Sequence, residues 1–226
     1  KTLIVSLPVW YLRLTFFSLR STSMIQRFII KIITICLVSI NAYAIEKVVL
    51  FGDSLMAGYG LSQEKHLAII LESDLKKKGY KTEIINGSVS GSTSAGGVNR
   101  VEWTLSEPDI DLIILSLGAN DMLRGISPNE TSDNLEKIIL VALKKNIDVI
   151  LAGMIAPNTH GKKYKNKFDD IYPNLAKKYD LNLIPFLLEG VALNPDLNQD
   201  DGIHPNEKGT FVISKILLSS ILNKIK

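Results

Sequence analysis

Val48-Val49-Leu50-Phe51-Gly52-Asp53-Ser54-Leu55 is an apolar run that ends in a glycine, an acid and a serine. A short, continuous apolar run closed by turn residues reads as a strand buried on both faces, as in a parallel sheet. Ser54 then stands at the C-terminal end of that strand. Two readings of it are open. Either it is a turn residue or helix N-cap, or it is a nucleophile displayed where a buried strand ends.

The same pattern recurs along the chain. Apolar, β-branched runs fall at 47–51 (KVVLF), 81–86 (KTEIIN), 111–117 (DLIILSL), 147–153 (IDVILAG) and 181–186 (LNLIPF). Amphipathic stretches of helical length alternate with them, at 64–78, 131–145, 166–179 and 206–224, with a weaker one at 94–106. Ser127-Pro128-Asn129-Glu130 is a helix-start signal and Lys144-Lys145-Asn146 a stop. Strands alternating with helices predict an α/β fold: a three-layer α/β/α sandwich around a mainly parallel sheet of about five strands. No internal repeat, low-complexity tract or linker interrupts 45–226, which is expected to be a single domain.

Composition narrows the function classes. The 226 residues suffice for one good core. The formal net charge of +3 rests on the first 44 residues, which hold five Lys or Arg and no Asp or Glu. The remainder carries 21 basic and 23 acidic residues, a net of −2. Such a body gives no electrostatic reason to bind nucleic acid. Met24 begins a basic start (Arg27, Lys31), a short apolar stretch (32–40) and Ala42-Tyr43-Ala44, a small-x-small cleavage signal. The expectation is a signal peptide over 24–44, cleavage after Ala44, and an exported protein, periplasmic or secreted. Residues 1–23 precede Met24 and read as upstream or leader sequence. The one cysteine, Cys36, lies within the leader, so no disulfide, thiolate metal site or cysteine nucleophile is expected after cleavage. His66, His160 and His204 have no metal-ligand spacing, and no metal or organic cofactor is expected.

In open parallel sheets, ligand sites form outside the C-terminal strand ends. The chemistry-bearing residues fall there. Gly52-Asp53-Ser54 follows the first run, 86–91 (NGSVSG) the second, Gly118-Ala119-Asn120-Asp121 the third, and 199–206 (QDDGIHPN) comes after the fifth. Asp201 and His204 are three residues apart, a tether that brings a carboxylate to one imidazole nitrogen and leaves the other free for base catalysis. A surface turn accounts for the same residues, since Asp-Gly and His-Pro are ordinary turn dipeptides. Asp53 reads as a turn-shaping acid. No Gly-x-Ser-x-Gly elbow surrounds Ser54. The Ser54 and Gly91 N–H groups and the Asn120 amide would supply the preorganised donors that an oxyanion requires. Taken singly, Gly91 reads equally as a flexible loop and Asn120 as an Asx turn. Four such groups at the strand ends of one sheet favour the functional reading.

Gly52-Asp53-Ser54-Leu55, Ser90-Gly91-Ser92-Thr93, Gly118-Ala119-Asn120-Asp121 and Asp201-Gly202-Ile203-His204-Pro205 resemble the four blocks of the SGNH (GDSL) hydrolase family. The resemblance spans about 47–226 and is greatest to the bacterial periplasmic thioesterase/lysophospholipase/arylesterase branch. It implies a flavodoxin-like fold, Ser54 as nucleophile, Asp201 and His204 completing a triad, and Gly91 and Asn120 as oxyanion donors beside the Ser54 N–H. His66-Leu67-Ala68 departs from relatives that often carry an aromatic and a proline there.

The expected activity is a serine esterase acting on acyl esters, acyl thioesters or lysophospholipid through an acyl-enzyme, as a monomer. Met122, Leu123, Ile126, Met154 and Ile155 flank the motifs and are candidates for an acyl groove. The basic run 162–167 (KKYKNK) reads as a solvated loop or as a point of transient contact with a lipid surface. Two alternatives stay open: a carbohydrate O-deacetylase, and a non-catalytic flavodoxin-like module whose loops hold an anion.

Overall fold

A computed structural model describes residues 45–225. The expected signal peptide and the segment before it lie outside the described residues. Five strands form one sheet: β1 (Lys47–Gly52), β2 (Glu83–Asn86), β3 (Leu112–Ser116), β4 (Asp148–Ala152) and β5 (Asn182–Ile184). Their order is β2-β1-β3-β4-β5 and every pairing is parallel. This is the flavodoxin-like strand order, in which the chain reverses direction of winding between β1 and β3. Val48 pairs with Leu112 and Gly52 with Ser116, so β1 and β3 end level with one another.

The apolar runs are continuous because both faces of the sheet are covered. Val48 to Phe51 and Leu112 to Leu115 are all fully buried. Helices α2 (Leu67–Lys77) and α8 (Glu207–Ile225) pack together on one side, following the four-residue α1 (Ser54–Ala57) in chain order. On the other side α3 (Ser94–Thr104) packs on α5 (Pro128–Lys144), and α5 on α7 (Ile171–Tyr179). The short α4 (Ala119–Leu123) and α6 (Lys162–Asp169) complete the order. Among the described residues no helix is long and apolar enough to cross a membrane.

Three expected elements are corrected. The single helix at 166–179 is two, α6 and α7, meeting at Asp170. Pro173 is the cause: it has no N–H for the Asp169 carbonyl, and its ring crowds that carbonyl, so it is accommodated only in the first turn of a new helix. The run at 181–186 forms a strand only over Asn182–Ile184, because Pro185 cannot donate to the ladder. The helix expected from residue 64 begins at Leu67, after a 3-10 turn over Gln63–Lys65 and an extended His66.

Candidate active site

The turn that presents Ser54 is built from Gly52 and Asp53. A Cβ at Gly52 would stand 2.7 Å from Met56 Cγ and 2.8 Å from the Ser116 carbonyl oxygen, so only glycine lets β1 pass directly into α1. Asp53 caps α1, its Oδ1 accepting from Leu55 N–H at 3.0 Å. Asp53 is 1% exposed, and burial pushes its carboxyl up to about 6 against the lowering effect of the Leu55 and Asn120 hydrogen bonds. Arg100 braces the turn from behind. Its guanidinium lies 3.8 Å from the Phe51 ring centre and donates to the Gly52 carbonyl at 2.9 Å and to the Gly87 carbonyl.

His204 arrives from the far end of the chain. Asn206 caps α8, accepting from the Lys208 and Gly209 N–H groups, and buried Pro205 bridges to Asn198. This anchors the loop so that His204 Nε2 lies 2.9 Å from Ser54 Oγ. His204 Nδ1 lies 2.6 Å from Asp201 Oδ2. Asp201 Oδ1 accepts from the Ile203 and His204 N–H groups, both at 2.9 Å. These bonds pull the Asp201 carboxyl down to about 2, chiefly through the His204 N–H and the imidazole, then the Ile203 N–H. Asp201 is therefore ionised at neutral pH, and its 41% side-chain exposure favours the same state. With the proton on Nδ1 facing Asp201, Nε2 accepts from the Ser54 hydroxyl, the tautomer a general base needs.

Gly91 and Asn120 border the same space. Neither Ser54 N–H nor Gly91 N–H bonds to another of the described residues. Gly91 has φ +77 and open space where a Cβ would be. Its carbonyl accepts from Arg124 at 3.1 Å. Asn120 Nδ2 lies 3.3 Å from Asp53 Oδ2 and 3.2 Å from the Ser92 carbonyl oxygen, so both of its hydrogens are engaged at rest. A buried carboxylate next in sequence fastens this wall. Asp121, with no exposure, accepts from Ser94 N–H at 2.8 Å, Ser94 Oγ–H at 2.5 Å and Thr131 Oγ1–H at 3.3 Å.

The five apolar candidates divide. Met122 and Met154 are buried in the core, and Ile126 is half-buried. Leu123 and Ile155 are 54% and 45% exposed. An acyl groove in this region therefore rests on the last two. The sequence reading passed over Tyr59, whose ring centre lies 4.5 Å from that of His204, and over Arg100, Ser94 and Gln199. Tyr59 and Gln199 stood beside the recognised motifs, but their roles depend on contacts across the fold.

A serine, an imidazole and a carboxylate in line at the strand ends of an open parallel sheet define a serine hydrolase. The GDSL-like lipase/acylhydrolase family matches residues 50–210. An arylesterase of Vibrio mimicus is 35% identical over 187 residues, 83% of this chain and 94% of that protein. Thioesterase 1/protease 1/lysophospholipase L1 of Escherichia coli K12 is 36% identical over 170 residues, 75% of this chain and 80% of that protein. A crystal structure of TesA superposes with a TM-score of 0.75 at 31% identity, covering 80% of this chain and all of that one. The chain belongs to the GDSL-like lipase/acylhydrolase family. It is a serine ester hydrolase, and its substrates are small esters or thioesters.

Proposed function

We propose that Ser54 is the nucleophile, His204 the general base and acid, and Asp201 the residue that orients the imidazole. The observation that carries this is the line from Ser54 Oγ through His204 to Asp201, at 2.9 Å and 2.6 Å. Ser54 Oγ attacks the substrate carbonyl carbon while its proton passes to His204 Nε2, and the carbonyl π pair moves onto oxygen. That oxyanion sits against the Ser54 and Gly91 N–H groups and the Asn120 amide, which releases one resting partner to donate to it. Collapse expels the leaving oxygen or sulfur, which takes the proton from His204. Water then attacks the acyl-enzyme with His204 again as base, and Ser54 regains its proton as the acid departs.

The substrate class we infer is aryl esters, acyl thioesters and lysophospholipid. The names of the relatives and the exposed Leu123 and Ile155 support it. An anion-binding module would leave the Ser54–His204–Asp201 line without use. The leader-like segment 24–44 and its Ala42-Tyr43-Ala44 end support export, and we expect a monomer in solution. Labelling with a fluorophosphonate, followed by peptide mass spectrometry, tests the assignment. Adduct on Ser54 that disappears in Ser54→Ala is the expected result. Adduct on another serine overturns it.

A further inference from the structure

We propose that Gln199 is a positioning residue, a clasp that holds the His204 loop in register with the turn after Ser54. The proposal rests on the reading of His204 as the base for Ser54. The two residues are 150 positions apart. Among the described residues, two side-chain hydrogen bonds join the 54–60 segment to the 198–206 loop. One is Ser54–His204 itself. The other runs from Gln199 Nε2 to the Tyr59 carbonyl at 2.8 Å. The first is lost whenever Ser54 Oγ carries an acyl group. During that half of the cycle the register of the base falls to the second.

Gln199 is suited to this. One side-chain amide reaches two segments, because Nε2 also donates to the Pro205 carbonyl at 3.0 Å. Its backbone N–H donates to the His204 carbonyl at 2.7 Å. The carbonyl it grips belongs to Tyr59, whose ring lies against the imidazole at 4.5 Å and 39°. That ring is half-exposed, so its placement serves His204 more than the core. It presents a π surface to the imidazolium that forms on each proton transfer. Gly60 makes room for the clasp. A Cβ there would lie 2.2 Å from Gln199 Oε1, and its φ of +74 already disfavours a side chain.

The test measures kcat, KM, the fluorophosphonate inactivation rate and the unfolding midpoint for wild type, Gln199→Ala, Gln199→Glu, Gly60→Ala and the Gln199→Ala/Gly60→Ala double variant. Displacing a catalytic group by about 1 Å typically costs on the order of 100-fold in rate. We expect kcat and the inactivation rate to fall roughly ten- to a hundred-fold in Gln199→Ala, with KM within about twofold. Gln199→Glu, equal in size but turning a carboxylate toward two carbonyls, should lose at least as much. Gly60→Ala displaces the same amide, so the double variant should be no slower than the slower single. Gln199 variants that retain wild-type kcat per folded molecule, or full additivity with Gly60→Ala, overturn the clasp. Wild-type labelling separates the two proposals: adduct on Ser54 with normal Gln199 variants removes only the clasp, whereas no adduct on Ser54 removes the underlying assignment.

Discussion

Asn120 Nδ2 stands 3.3 Å from Asp53 Oδ2, which joins the oxyanion-donor candidate to a carboxyl that is almost wholly buried. Asp53 caps the helix that starts with Ser54, so one side chain sets both the Ser54 turn and the Asn120 amide.

In the proposed mechanism Asn120→Ala removes a donor whose bond is strongest when charge develops on the substrate oxygen. Loss of one such donor lowers kcat by about 10²–10³-fold, roughly 2.7–4 kcal/mol. KM should change little, as expected for an interaction made mainly in the transition state. Steady-state kinetics and a denaturant midpoint on one preparation check this; normal kcat with a lowered midpoint makes Asn120 a turn residue.

Asp53 gives a pH signature of defined sign. Its folded value of about 6 lies above the ordinary 3.8, so the native state holds this proton more tightly than the unfolded chain. Its contribution is fully present below about pH 4 and is lost as pH rises through 6, by up to roughly 3 kcal/mol. Asp201, held near 2, acts oppositely: its contribution is present above about 4 and lost as pH falls toward 2. The stability difference between Asp53→Asn and wild type should therefore move in the variant's favour from pH 4 to 7. Urea midpoints across that range measure it, and a flat difference refutes the buried-acid account.

Asp121→Ala leaves Ser94 N–H and Ser94 Oγ without their buried acceptor, while Thr131 Oγ1 keeps the Ser127 carbonyl at 3.3 Å. Unsatisfied buried donors cost about 1–3 kcal/mol each before relaxation. A loss of about 2–3 kcal/mol in urea unfolding is expected. A loss below about 0.5 kcal/mol would place the network outside the stability of the fold.

Leu123→Ser and Ile155→Ser should weaken long acyl esters and leave acetyl esters nearly unchanged. Removing a buried methylene contact costs about 0.8 kcal/mol, so the change should appear as a several-fold rise in KM that grows with chain length. A chain-length series of one aryl ester reads it, and equal effects on acetyl and octanoyl esters exclude an acyl groove there.

The strand ends were legible because burial on both faces leaves contiguous apolar runs, and the polar clusters fall where those runs stop. Ser54, Asp201 and His204 were legible as a set through their motifs, yet the 2.9 Å approach of Ser54 and His204 follows from how α8 docks. The break at Asp170 was missed since Phe168, Ile171, Tyr172 and Leu175 keep helical spacing across it; Pro173 was the visible warning. Tyr59 and Gln199 were not legible, because a ring on an imidazole and an amide on a distant carbonyl leave no local pattern. The burial of Met122 and Met154 is not legible in the sequence, because apolar side chains near a motif look alike whether they line a surface or fill a core.

Asp201 accepts from the backbone of its own turn, and the imidazole it orients is three residues away. Acid and base therefore travel on one short piece of chain. Assembling the proposed triad is a meeting of two bodies, and the conformational entropy of a third independent segment is never spent. The one long closure, from 54 to 204, costs only slightly more than a closure half its length, since the penalty grows with the logarithm of the loop. A site of this kind tolerates long insertions between its halves, provided the sheet still brings the two ends together.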